Sequence, residues 1–240
     1  MKTTRLSILL FLALGACINE RSGGNSTSSP GTTFPLLQAT QTLQTTGFSQ
    51  LTGSVSGTST TNGTQQSLTG SYFVAEGAAL AGATFGGQAA QSQSISITAD
   101  VSNNVNTVAT LGIANTTYFT TSGTLLGETS PGNYCIASKF EQYPATVTVG
   151  QAGPVATLSC YTDSTMATAN GTIVTSYTIG AGPSSATATF TATHTVLDNS
   201  GQQVTQVLTN FQLYISGNLT FQSVSFNETL DGTQYQVASQ

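Results

Sequence analysis

Residues 184–197 read SSATATFTATHTVL. Ala186, Ala188, Phe190, Ala192, His194 and Val196 recur at every second position, and Thr187, Thr189, Thr191, Thr193 and Thr195 stand between them. Side chains of an extended chain alternate between two faces, so this period of two predicts a half-buried strand with its threonine row turned to water. Threonine suits that place because a β-branched side chain is stiff and packs well on a pleated surface. Asp198-Asn199-Ser200-Gly201 then supplies turn chemistry, and Val207, Thr209, Phe211, Leu213 and Ile215 take up the alternation again. The pair reads as an antiparallel hairpin.

The same pattern spreads outward from this hairpin. Ser216-Gly217-Asn218 turns the chain into Leu219 and Phe221, after which the apolar phase slips by one residue before Val224 and Phe226, a shift that a β-bulge near Gln222-Ser223 restores. Asp231-Gly232 makes a further turn before Tyr235 and Val237. Upstream, Ile173, Thr175, Tyr177 and Ile179 form one strand, and Val147 with Val149 reads as the partner of Val155–Tyr161 across Gly150–Pro154. Towards the N-terminus the alternation is poorer, and Ala75–Ala90 is the one stretch that suits a short helix. The expected fold is all-β: an antiparallel β-sandwich of roughly ten to twelve strands over residues 47–240, with a division of that domain near 131–144 as a variant.

Charge excludes several function classes. Of 240 residues only 5% are charged, whereas serine and threonine together number 72. Beyond residue 17 two bases, Arg21 and Lys139, face nine acids. Nucleic acid is excluded as a partner, because phosphates are neutralised by clustered Lys and Arg and there is no such cluster. A polybasic membrane patch is excluded on the same ground.

The first residues carry an address. MKTTRLSILLFLALGAC places Lys2 and Arg5 ahead of an apolar run from Leu6 to Leu14, with small residues before Cys17. Residues 1–16 read as a secretory signal peptide, too short in its apolar core to span a bilayer. Leu14-Gly15-Ala16-Cys17 resembles the lipobox of bacterial lipoproteins, which implies that Cys17 is acylated and becomes the first residue of the mature chain. Membrane attachment is then through the lipid, and Ile18 rather than Asp after the cysteine implies the outer membrane of the cell envelope. Residues 17–46 open with Gly, Ser, Thr and Asn and read as a tether, although Phe34, Leu36, Leu37 and Leu43 offer apolar groups to the domain. Gly70-Ser71-Tyr72-Phe73 with Gly82-Ala83-Thr84-Phe85 resembles the closing hairpin of the small barrels of transferrin-binding-type surface lipoproteins, which implies a β-barrel as the alternative fold.

With Cys17 set aside, Cys135 and Cys160 remain, and an even pair in an exported chain reads as a disulfide. Cys160 shares a face with Ala156 and Leu158, so it points inward. Catalysis is poorly provided for: there is one His, no G-x-S-x-G elbow, and His194 lies on the strand face of Phe190 and Val196. No cofactor is implied, and one His with no spare Cys gives no zinc site. Asp100–Asn106 and Asn227–Asp231 are the densest oxygen clusters but lack the spacing of a calcium loop. Tyr118, Tyr134, Tyr143 and Tyr161 fall near turns, where they would line a glycan site in a chain without Trp. The sequence therefore points to a non-catalytic envelope module that binds, spaces or scaffolds a protein or glycan partner, with a ligand-binding domain as the alternative and an enzyme third.

Overall fold

The computed structural model describes residues 31–103 and 107–240. The expected signal peptide (residues 1–16), Cys17 and residues 18–30 of the expected tether lie outside the described residues, as do Asn104, Val105 and Asn106 of one oxygen cluster. One helix, α1 (Leu36–Thr46), precedes thirteen strands: β1 (Phe48–Thr61), β2 (Thr64–Glu76), β3 (Leu80–Phe85), β4 (Gln88–Ser102), β5 (Thr107–Phe119), β6 (Leu125–Ser130), β7 (Asn133–Phe140), β8 (Ala152–Tyr161), β9 (Ala169–Ala181), β10 (Thr187–Leu197), β11 (Gln203–Tyr214), β12 (Leu219–Leu230) and β13 (Thr233–Ser239).

All pairings are antiparallel, and from β4 to β13 each strand pairs with the next. β13 pairs β1, β1 pairs β2, and β2 pairs β4 from Glu76↔Ile95 to Thr69↔Ser102, so twelve strands close into a ring. β3 lies outside the ring on the first residues of β4. The all-β antiparallel expectation stands, with the sandwich realised as opposite walls of one closed sheet. Closure removes most of the open edge that a two-sheet sandwich would leave.

The alternation read from the sequence decides which face is inward. On β10, Ala188, Phe190, Ala192, His194 and Val196 are buried, and on β11 the inward set is Thr205, Val207, Thr209, Phe211 and Leu213. The outer faces carry hydroxyl rows: Ser54, Ser56 and Thr58 of β1 stand opposite Ser71, Thr69 and Ser67 of β2. This is the reverse of a lipid-facing barrel, whose apolar band is on the outside. Asn210↔Ser223 is followed by Phe211↔Phe221, so Gln222 is the extra residue of the expected bulge. Asn62-Gly63 and Asp231-Gly232 have positive φ at both residues, as tight two-residue hairpins of this kind require.

The structure corrects four local expectations. Ala75–Ala90 is the end of β2, a short link and the β3–β4 hairpin; its glycines disfavour a helix, and Gly86 and Gly87 both take positive φ at the hairpin tip. Val147 is no strand residue but makes a lone bridge to Phe34 within the long β7–β8 connection. Residues 36–46, included in the tether that opens with Gly, Ser, Thr and Asn, form α1, and Leu36, Ala39 and Leu43 are buried against the barrel. The Tyr72 and Phe85 segments do not form one hairpin, since β2 and β3 each pair with β4.

The helix closes one end of the barrel. Gly47 N–H donates to Leu43 O at 2.7 Å, Ala79 N–H to Gln44 O at 2.9 Å, and Phe34 exchanges backbone bonds with Val147. Under it lies an aromatic layer in which Phe190, Phe211 and Phe221 follow one another at 6.1 and 6.0 Å between centroids. Such edge and tilted contacts add about 0.5–1.5 kcal/mol per pair beyond their buried area.

Candidate functional site

Two places bring chemistry together: the inside of the barrel and a groove on its outer wall. Inside, three carboxyls are buried. Glu228 on β12 lies between Thr205 and Tyr235 of the neighbouring strands and accepts the Gly112 N–H at 3.0 Å from the opposite wall. Gly112 is required there, because φ is +99° and a Cβ would sit 2.1 Å from Ile97 O and 2.9 Å from Phe226. Burial pushes the Glu228 carboxyl up to about 7 against the lowering effect of that hydrogen bond. Glu76 is raised to about 8, again by burial, while the bond from Gln93 opposes the shift. Glu128, fully buried between Thr117 and Cys135, is held well above the ordinary carboxylate range by desolvation. Both of its oxygens lack a hydrogen-bond partner. A carboxyl in such surroundings keeps its proton and is neutral at pH 7.

These acids are where sequence reasoning was blind. Glu228 is named only within the oxygen cluster Asn227–Asp231, yet strand alternation turns Asn227 to the outer face and Glu228 inward, so the cluster does not converge. Among the described residues no group of three His, Cys, Asp or Glu side chains is placed to hold a metal. His194 is fully buried, in register with Thr175 and Val207, and the Thr175 hydroxyl donates to Ala156 O at 3.2 Å. Cys135 and Cys160 are bonded, as directly opposed residues of β7 and β8. Both face the core, in the position that the phase of Leu158 and Cys160 indicated.

The four tyrosines singled out from the sequence divide. Tyr143 goes to the closed end, 5.6 Å from Tyr177, where burial first and then Glu76 and Tyr177 raise its hydroxyl far above the usual phenol range. Tyr118 and Tyr134 come together on the outer wall although they are sixteen positions apart in the chain. Phe85 of the β3–β4 hairpin lies between their rings, 4.8 Å from each, with interplanar angles of 26° and 11°. The strand between them is β6, and its Gly127 leaves the space that Phe85 fills: a Cβ there would lie 2.6 Å from the Phe85 ring. Tyr161 is opposite Tyr134 on β8.

This aromatic stack borders an open groove of about 630 Å³ whose polar lining includes Asn133, Thr162, Asp163 and Ser164. Asp163 is held below the usual carboxylate range by bonds from the Thr165 hydroxyl and N–H, so it is ionised at neutral pH. A second groove of about 470 Å³ runs over Ser94, Ser96 and Thr116 and shares Thr129 and Ser130 with the first. Hydroxyls, amides, one carboxylate and ring faces are therefore available to a partner. Sequence reasoning named the tyrosines but missed Phe85 and Asp163, because the groove is built by register across β5–β8 and by a hairpin that folds onto them.

Compared with protein-family models, with curated proteins and with solved structures, the chain matches none.

Proposed function

We propose that this chain is a non-catalytic envelope module, anchored through a lipid on Cys17, that binds a partner in its outer groove. The observation carrying this reading is the separation of chemistries: the carboxyls with raised pKa and the histidine are sealed in the barrel, and the groove offers hydroxyl, amide and aromatic groups and the ionised Asp163. General acid–base work needs a titrating group within reach of a substrate. The topology keeps the groove clear of the helix. Phe34 and α1 stand at one end of the barrel, whereas the β6–β7 and β8–β9 connections that border the groove belong to the other. The groove thus lies at the end opposite Phe34 and α1, and each buried methylene of an acyl chain on Cys17 is worth about 0.8 kcal/mol of attachment.

Metabolic labelling with a fatty-acid analogue tests the anchor: the wild type is labelled and Cys17→Ser is not, and equal labelling overturns it. Complementation of a deletion strain tests the rest. A folded His194→Gln protein restores the phenotype, and Asn133→Ala with Tyr134→Ala does not; the opposite result returns the argument to catalysis.

The pairing of Tyr118 and Tyr134 beside Asn133 and Asp163 favours a second, narrower reading, in which the partner is a glycan. Ring faces meet the apolar face of a sugar while amide and carboxylate groups bond its hydroxyls. Co-sedimentation with purified sacculi, abolished in Tyr134→Ala, is the expected result, and no retention in the pellet excludes cell-wall glycan as that partner.

A further inference from the structure

The two ends of the barrel differ in chemistry. Of the acids among the described residues, Glu76, Glu128 and Glu228 are buried and Glu141 pairs with Lys139, which leaves Asp100, Asp163, Asp198 and Asp231. All four aspartates stand at the end away from α1: Asp163, Asp198 and Asp231 in the β8–β9, β10–β11 and β12–β13 connections, and Asp100 two residues before the end of β4. At the α1 end the Lys139–Glu141 pair is the one exposed charged feature among the described residues. That end carries apolar groups instead. Leu80 and Ile215 are 66% and 56% exposed, and Val149 is exposed with them. The three surround the helix: Ala79, beside Leu80, bonds to Gln44 O; Val147, two residues before Val149, bridges Phe34; and Gly217, two after Ile215, lies against Gln38 and Pro35. The outward residues of α1, among them Gln41, Thr42 and Thr45, are uncharged hydrogen bonders.

We propose that this end of the barrel docks on a lipid bilayer surface, with Leu80, Val149 and Ile215 in the headgroup boundary and α1 lying along it. The inference rests on the acylated Cys17 for what brings the barrel to the membrane. Residues 18–30 separate Cys17 from the first described residue, at most about 45 Å of chain, and the chain joins the barrel at this end, where Phe34 is bonded to Val147. Three side chains hold a protein on a bilayer only weakly, but a tethered group meets the surface at a raised effective concentration. Charge then chooses the end that faces the lipid. Anionic headgroups repel carboxylates within a Debye length, about 8 Å at physiological salt. The eleven residues of β10, at about 3.3 Å each and a strand tilt of roughly 40°, set the two ends about 28 Å apart. With α1 on the bilayer the four aspartates stand clear of that layer; the reverse orientation presses them into it. Met166 and Val108, the other large apolar side chains left exposed, belong to the acidic end, where the Met166 N–H bonds to Asp163 O. The hydroxyl rows of the outer wall keep the barrel on the membrane and not across it.

The chain has no Trp, so a single introduced one reports its surroundings. The test uses residues 17–240 with Cys17→Ser and an N-terminal hexahistidine tag, held on phosphatidylcholine–phosphatidylglycerol vesicles by a nickel-chelating lipid. Because the tag replaces the acyl chains, docking is read whether or not cells lipidate Cys17, which metabolic labelling decides. Thr42→Trp, on the exposed side of α1, should shift its emission to the blue and lose roughly half of it to lipids brominated on the acyl chain, since interfacial groups sit about 5–10 Å deep. Gln202→Trp, in the β10–β11 connection, should show neither change. Leu80→Asp with Ile215→Asp alters two exposed positions; in the Thr42→Trp chain it should leave the melting temperature and the tag-dependent vesicle binding intact and abolish the quenching. No quenching of Thr42→Trp, quenching of Gln202→Trp to the same degree, or quenching that survives the double Asp change each overturns the proposal. A blue shift of Thr42→Trp that grows with protein concentration without vesicles assigns the face to a second copy of the chain and overturns it too.

Discussion

Glu228 shows how one side chain links the two walls of the barrel. Its carboxyl satisfies the Gly112 N–H across the interior, and the same burial raises its pKa to about 7. The native state therefore keeps a proton that the unfolded chain loses near 4.5, so this group's contribution is complete below about pH 4.5 and falls as pH rises through 7. Glu228→Gln keeps an acceptor for Gly112 and removes the titration. Urea midpoints should then match the wild type at pH 4.5 and exceed it at pH 8, where the wild type carries a penalty of up to ~3 kcal/mol. Glu228→Ala strands the Gly112 N–H and should cost about 1–3 kcal/mol at pH 4.5 as well. The Cys135–Cys160 bond belongs to the same scale. It closes a loop of 25 residues, and the double Ser variant should lose about 3 kcal/mol in the same denaturation measurement. Both cysteines and their inward phase were legible in the sequence, whereas the Glu228 contact was not, because it joins residues 116 positions apart.

Helix α1 is the element that the composition concealed. Pro35 at its start, Gly47 at its end, and Leu36, Ala39 and Leu43 at a three-then-four spacing are the marks of an amphipathic helix. Four of its eleven residues are threonine, whose hydroxyls bond back to the preceding turn, as Thr40 to Leu36 O at 3.1 Å and Thr46 to Thr42 O at 2.8 Å. Such residues favour helix weakly. Tertiary burial of the apolar stripe therefore holds the helix. Leu36 is 0% exposed, so Leu36→Ala should destabilise by 2–4 kcal/mol in thermal or urea unfolding, as large-to-small changes in a packed core do. Gln38→Ala on the outer side should be neutral. The strands behave oppositely: β10 and β11 were legible because their alternation has no competing reading over six repeats, while β3 was not, since Leu80–Phe85 is exposed except at the half-buried Ala83 and the buried Phe85 and has no apolar face to advertise.

For the molecule as a whole, three acids with raised pKa and two aspartates with lowered ones set an acidic optimum. Glu76, Glu128 and Glu228 all favour the protonated native state, so stability falls as pH rises from about 4.5 through 7 and 8. Asp163 and Asp198 are held below the ordinary range by hydroxyl and N–H donors, so their contribution is present above 3.8 and is lost as pH falls further. The melting temperature of the folded chain should peak between pH 4 and 5 and decline on both sides. Scanning calorimetry across pH 3–9 reads this, and a maximum at pH 8 would show that the interior carboxyls are solvated.

By itself the sequence determined the class of structure, the two faces of each well-patterned strand, the turn positions and the inward cysteine, because these follow from local sterics and from a period that one residue's slip would destroy. It determined also that the surface is hydroxyl-rich and nearly uncharged. Ring closure through β2 and β4, the seating of α1 over the barrel end, the burial of three carboxyls and the meeting of Tyr118, Phe85 and Tyr134 were decided only by the tertiary structure. Each depends on which distant strands become neighbours and in what register, and that choice is made by the summed burial of the whole core, which no local window of the chain contains.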